Sequence, residues 1–289
     1  MTYRMQRVPV AGGELAVGVW GDAGPLVVAA HGITSHHLGF QLIGEDLATD
    51  HRFVAADLRG RGKSRDLPGP YGMARHTADL AEVVKAYGGS AVIVGHSMGG
   101  WVAIELARTC PMLVERLVLV DGGPPLPAPP GLEGNPTREQ IDAALAATVG
   151  TAYARLSMTF PDRESYRELW RAHPSFRDWN PAMATYADYD LVAEGDAFRP
   201  ACRMAAAQRD AADLYAWAAP PPGPLPVPAV FLRAERGMLD GEPMFPPGEA
   251  SRWFPGIVER DVVGVNHYTI GLSPAGAGAV AAAVRGEGV

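Results

Sequence analysis

Short apolar runs and longer helical patterns alternate through the first 120 residues, which leaves the chain very few architectures. The runs LVVAA (26–30), RFVAAD (52–57), AVIVG (91–95) and RLVLVD (116–121) are rich in β-branched residues and apolar at nearly every position. Runs without polar alternation suit strands covered on both faces, as in a parallel sheet. Between them the spacing predicts helices near 37–48, 74–88 and 98–109. That order predicts a doubly wound α/β sheet. Ahead of it, MQRVPV and ELAVGVW meet across Gly12-Gly13, which predicts an antiparallel hairpin.

After Asp121 the pattern changes. GGPPLPAPPGLEGNP leads out of the sheet, and residues 138 to about 218 carry helical spacing with no evident strand. In SYRELW, for example, Tyr166, Leu169 and Trp170 share one helical face. A second proline-rich stretch, APPPGPLPVP, closes this segment. Strand grammar then resumes with AVFLRA (229–234) and IVERDVV (257–263), and an alanine-rich helix follows near 274–285. The expectation is a mostly parallel sheet of about eight strands, built from residues 1–124 and 219–289. Residues 125–218 are expected to form an inserted helical cap.

In AVIVGHSMGGWVAIELA (91–107) a strand must turn at once into a helix, with Ser97 at the turn between Gly95 and Gly99. So tight a turn strains its central residue and requires small neighbours, which is the logic of the G-x-S-x-G nucleophile elbow. A glycine-bearing turn with a serine helix cap is the bland alternative. The strand before, the helix after and the extra Gly100 favour the elbow, with Ser97 as nucleophile.

A serine hydroxyl needs a base. His267, in VVGVNHYTI between the last strand and the last helix, is the expected one. His96 should point away from the site and His31 should sit beneath the neighbouring loop. A base of this kind needs an acid to hold its tautomer. Asp240, in the loop after AVFLRA, is the first choice, with Glu235 and Asp121 as alternatives. Two backbone amides should receive the oxyanion: Ile33, after the HG of LVVAAHGIT, and Met98, directly after the nucleophile. DLRGRGKS (57–64) resembles a phosphate loop but lacks Walker spacing, so it is read as a structural turn.

Composition excludes several other classes. A net charge of −7 over 289 residues argues against a nucleic-acid surface. Two cysteines make no disulfide framework, and no metal-ligand spacing occurs. The opening residues lack an apolar signal core and no run reaches transmembrane length, so a cytoplasmic protein with no membrane partner is expected.

Taken together, HGIT, DLRGRGKS, GHSMGG, an acid after a late strand and NHY resemble the α/β-hydrolase superfamily in content and order. The resemblance covers nearly all of the chain except 125–218, where this family carries a helical cap. It implies the chain order Ser97, Asp240, His267 and a chemistry without cofactor or metal. Haloalkane dehalogenases and epoxide hydrolases of this fold need an aspartate where this chain has Ser97.

Eight aromatic side chains crowd residues 153–189. They suggest an apolar pocket, with His37, Phe160, Trp170, Trp179 and Tyr186 as substrate contacts. The function expected is cleavage of an ester, thioester or lactone of a hydrophobic small molecule by a monomer or homodimer. Carbon–carbon bond hydrolysis, acyl transfer or cyclisation by the same triad, and a ligand sensor without turnover, are the rivals.

Overall fold

The computed structural model describes residues 3–126, 151–215 and 222–287, together with 137, 139, 140, 143 and 144. Eight strands form one sheet in the order β1-β2-β4-β3-β5-β6-β9-β10. These are β1 (Tyr3–Val10), β2 (Gly13–Trp20), β3 (Leu26–Ala30), β4 (Arg52–Ala56), β5 (Ala91–His96), β6 (Val114–Val120), β9 (Ala229–Arg236) and β10 (Val258–Asn266). The β1–β2 hairpin closes at Val10↔Gly13, and β2 runs antiparallel to β4. Every remaining pair is parallel.

The period-2 geometry of a strand explains the runs without polar alternation. Leu26, Val28 and Ala30 of β3 join one apolar cluster, while Val27 and Ala29 join the other. β6 divides the same way, Leu117 and Leu119 against Val118 and Val120. Helices α2 (Met73–Tyr87) and α3 (Met98–Thr109) bury their apolar residues in the first cluster. Helix α1 (Gln41–Leu47) and the helix Pro274–Arg285 bury theirs in the second. A strand covered on both faces has no use for a polar residue.

Between β6 and β9 the described residues add no strand to this sheet. They form the helices Arg163–Arg171, Pro181–Tyr189 and Met204–Ala211, each within the segment expected to be helical. Asp162 and Asn180 cap the first two, accepting from Ser165 N–H and Met183 N–H. The segment also contains a hairpin, β7 (Leu191–Glu194) with β8 (Ala197–Pro200), which sequence reading missed. Its strands are four residues each and carry charges, too short for a period to emerge.

DLRGRGKS folds as a turn that points three of its four charges inward and leaves Lys63 exposed. Asp57, Arg59 and Arg61 are all buried. Arg59 pairs with Asp79 at 2.9 Å and Arg61 with Asp210 at 2.6 Å. Asp210 belongs to the inserted segment, so this ion pair ties the segment to the sheet domain.

Candidate active site

β5 ends at His96 and α3 begins at Met98, leaving Ser97 alone to reverse the chain. Its backbone sits at φ 54°, ψ −124°, a conformation that costs a non-glycine residue on the order of 1–3 kcal/mol. The neighbouring glycines permit it by close approach. A Cβ on Gly95 would lie 2.6 Å from Gly100 Cα, and one on Gly99 would run into the Ala30 carbonyl. Ser97 N–H donates to Val120 O at 3.0 Å, fastening the elbow to β6.

Ser97 and His267 line the same cavity, about 40 Å³, with Gly32, Ile33, Thr34, Ser35, Tyr186, Met238, Tyr268 and Leu272 among its other walls. Ser97 also borders a second cavity of about 20 Å³ walled by Met98, Trp101, Leu214, Met244 and Phe245. The serine therefore stands between two small, largely apolar spaces.

His267 Nδ1–H donates to Asp121 Oδ2 at 2.7 Å. Asp121 is fully buried at the end of β6, and its other oxygen accepts from Ala234 N–H at 3.1 Å. The acid beside the histidine is thus Asp121, and Asp240, the first choice from sequence, is elsewhere. Asp240 Oδ1 accepts from Arg236 Nε at 2.7 Å and Asn266 Nδ2 at 2.9 Å. Glu235 accepts from Gly264 N–H at 2.8 Å. The reason lies in the turn after β6. Asp121 adopts φ 44°, and a Cβ on the next residue, Gly122, would lie 2.5 Å from Ser97 C. The Asp121-Gly122 turn therefore nests against the elbow and aims its carboxylate at the histidine. DGG directly after β6 is the signal that could have favoured Asp121.

Met98 is the first residue of α3, so its N–H is one of those a helix leaves unbonded. Gly32 passes against the serine: a Cβ there would lie 3.1 Å from Ser97 Cβ. The following Ile33 carbonyl accepts from Arg61 Nε at 3.0 Å and Nη2 at 2.8 Å, which pins the loop.

Of the five side chains expected to touch substrate, Tyr186 lines the cavity, its hydroxyl donating to Ser35 Oγ at 3.2 Å. His37 does not. It is buried between Asp57, to which Nδ1–H donates at 2.7 Å, and Tyr3, whose hydroxyl donates to Nε2 at 2.8 Å. Phe160, Trp170 and Trp179 are also absent from the lining. Phe160 packs on Tyr166, Trp170 lies under the Arg155 guanidinium, and Trp179 lies under Arg171. These aromatics instead pack the inserted segment into the apolar cluster that it shares with one face of the sheet.

His96 is a further correction. It lines the cavity rather than pointing away, and its Nε2–H donates to His267 O at 2.9 Å. Burial, with His267 alongside, lowers its pKa to about 3. Tyr268 and Met238 were missed because they lie in loops, and Leu272 because it ends the one-turn helix Thr269–Leu272, segments whose path the sequence does not specify.

Two histidines under the cavity are held neutral by their partners. His31 Nε2 accepts from Leu58 N–H at 3.0 Å while Nδ1–H donates to Gly32 O at 2.7 Å. His36 Nδ1 accepts from Leu38 N–H at 3.3 Å while Nε2–H donates to Tyr186 O at 3.0 Å. A second proton on either ring would face an N–H. Burial drives His31 well below its ordinary value and His36 down to about 4. Both folded values lie below the unfolded value of about 6.5, so between them the unfolded chain binds more protons. Stability is therefore expected to fall as pH drops below about 6.5, by up to about 1.4 kcal/mol per pH unit per histidine. Urea unfolding at pH 7.5, 6.5 and 5.5 checks this; a constant midpoint would contradict the neutral assignment.

Among the described residues, no helix is long and apolar enough to cross a membrane. No group of three or more His, Cys, Asp or Glu among them could hold a metal ion.

Comparison with known proteins agrees with this architecture. Residues 25–269 match the sequence profile of the alpha/beta hydrolase fold. A serine hydrolase-like protein of Danio rerio is 39% identical over 40% of this chain and 36% of its own length. The chain thus spans about a third of the length of that relative. The 2-(acetamidomethylene)succinate hydrolase of Mesorhizobium japonicum is 24% identical over 87% of this chain and 84% of its own. The crystal structure of an E-2-(acetamidomethylene)succinate hydrolase superposes with a TM-score of 0.75 at 22% identity, covering 99% of this chain and 98% of that one. The profile match covers most of the chain and the strand order agrees with it, so this chain belongs to the alpha/beta hydrolase fold family.

Proposed function

We propose that the protein is a serine hydrolase that cleaves an ester, thioester or lactone of a small, neutral, apolar acyl group. The observation that carries this reading is the Asp121–His267 pair at 2.7 Å over a cavity that His267 shares with a strained Ser97. In this reading His267 takes the Ser97 proton as Oγ forms a bond to the substrate carbonyl carbon. The Ile33 and Met98 amides receive the oxyanion. His267 then returns the proton to the departing oxygen or sulfur as that bond breaks, leaving an acyl-serine. Water, deprotonated by the same histidine, releases the acid and restores the hydroxyl.

In this reading the acyl and leaving portions occupy the two cavities that Ser97 borders. Their size and lining support the substrate class. Among the described residues, neither lining includes a lysine or arginine. The Arg155 guanidinium nearby is buried and donates to Asp190 and to the Thr34 carbonyl. A substrate of the kind named for the Mesorhizobium relative would bring succinate carboxylates into a space without a free cation. That favours uncharged acyl groups. The inserted segment, in this reading, is a cap over the cavity, contributing Tyr186 to its wall.

The test is covalent labelling with a fluorophosphonate, read by intact mass and peptide mapping. One adduct on Ser97 is expected. A folded protein that takes up no adduct, or takes it elsewhere, would refute the assignment. Panels of esters, thioesters and lactones of short apolar acids should then be turned over faster than the corresponding dicarboxylic half-esters.

A further inference from the structure

Asp240 does not reach His267, yet it ends a set of hydrogen bonds that starts one residue before it. Asn266 Nδ2 donates to Asp240 Oδ1 at 2.9 Å and to the Ser175 carbonyl at 3.1 Å. Asn266 Oδ1 accepts from Tyr268 N–H at 3.0 Å and Thr269 N–H at 2.9 Å. Its own N–H donates to Thr269 Oγ1 at 2.7 Å. The amide is buried, and its two ends face two acceptors and two donors, so a flip would set all four contacts against each other.

The other ends of this set are equally anchored. Arg236 Nε donates to the same Asp240 oxygen at 2.7 Å and Nη2 to Gly264 O at 3.3 Å. Burial pushes the Asp240 carboxyl up, but the Asn266 and Arg236 hydrogen bonds outweigh it and hold the group below its ordinary range. Ser175 Oγ donates to Met238 O at 2.6 Å, and Met238 walls the cavity. Three pieces of chain distant in sequence thus meet at one asparagine: the turn Pro174–Phe176 of the inserted segment, the loop leaving β9, and the loop leaving β10 that carries His267.

We propose that Asp240, Asn266 and Ser175 form a clamp that holds His267 in register with Asp121 and makes that register depend on the seating of the inserted segment. The proposal rests on the reading of His267 as the general base. Asp240 and Asn266 are positioning residues: neither touches the reacting atoms. When the segment is seated, the Ser175 carbonyl completes the Asn266 amide and the histidine loop is fixed. When it lifts, Nδ2 loses one of its two acceptors, and the loop loses its tie to the segment. Small displacements of a base are costly because proton transfer demands close alignment.

The experiment compares wild type, Asp240→Ala, Asp240→Asn and Asp121→Asn, all full length. The readouts are the fluorophosphonate labelling rate at Ser97, kcat and KM on a chromogenic short-chain ester, and the thermal midpoint. Asp240→Ala should lower kcat about 10-fold with KM within about twofold, the signature of a misplaced base rather than a lost binding contact. Asp240→Asn should stay within about threefold of wild type, because its side-chain oxygen still accepts from Asn266 and Arg236. If Asp240→Asn falls as far as Asp121→Asn, then Asp240 acts as a charge on the histidine and the clamp is wrong. A folded Asp240→Ala with wild-type kcat overturns it too.

Should Asp240→Ala unfold, Asn266→Asp is compared with the double variant Asp240→Asn plus Asn266→Asp. The single variant opposes two carboxylates, and the double one restores a donor opposite an acceptor. The clamp requires the double variant to label faster; an equal or slower rate counts against it. Wild type failing to label at Ser97 would instead sink the hydrolase reading, and the clamp with it.

Discussion

Ser97→Ala is expected to lose turnover by about 10⁵-fold or more on any ester the wild type cleaves, because the proposed mechanism runs through an acyl intermediate on Ser97. The fold should survive. The serine side chain borders two cavities rather than filling a core, and the backbone bonds of the elbow, Ser97 N–H to Val120 O and Gly100 N–H to Ser97 O, are unaffected. A thermal midpoint within about 3 °C of wild type is expected. Ser97→Gly sharpens the test. At φ 54° glycine is free of the Cβ penalty, so this variant should be more stable than Ser97→Ala by roughly 0.5–1 kcal/mol while equally inactive. Such a result would show that the chain accepts strain at this one position for the sake of a serine. Residual ester cleavage by Ser97→Ala within about 100-fold of wild type would point to a different nucleophile.

Asp121→Asn should be nearly as damaging, with a loss in kcat of about 10⁴-fold. Two donors converge on Asp121: His267 Nδ1–H on Oδ2 and Ala234 N–H on Oδ1. A carboxylate accepts from both, whereas an amide offers one acceptor oxygen and one NH₂. If the amide oxygen stays with Ala234, its NH₂ faces Nδ1 and forces the histidine into the tautomer that carries its proton on Nε2. That histidine cannot take a proton from Ser97. If the oxygen turns to His267, an N–H is set against the buried Ala234 N–H, and stability falls by about 1–3 kcal/mol. Kinetics and urea melts on the same sample separate the two outcomes. An Asp121→Asn enzyme with wild-type kcat would mean that the 2.7 Å contact does not orient the base.

Much of this protein is legible without coordinates, and the reason is local. Parallel strands covered on both faces, such as β3, β5 and β6, must be continuously apolar, so their positions can be read directly. The elbow is legible because Gly95, Ser97, Gly99 and Gly100 act within six residues, where backbone crowding alone dictates which side chains fit. His267 follows from the same reasoning about position, since the loop between the last strand and the last helix can return to the sheet edge.

What required the tertiary structure is whatever depends on how separate loops meet. Asp240, Glu235 and Asp121 all lie at or near strand ends, and composition does not separate them. The choice is made by the positive-φ turn at Asp121 packed on Ser97, and by Arg236 and Asn266 holding Asp240 aside. The aromatics of the inserted segment posed the same difficulty. Sequence marks Trp170 and Tyr186 alike as aromatics of one crowded stretch, but only the packing of that segment on the sheet domain puts Tyr186 against the cavity and Trp170 beneath Arg155. Sequence by itself therefore determined the sheet, the strained turn at Ser97 and the loop that carries His267, because each obeys short-range sterics and burial. The tertiary structure alone decided which carboxylate meets His267 and which side chains wall the cavity, because hydrogen-bond geometry between distant loops is a property of their meeting and of no single stretch.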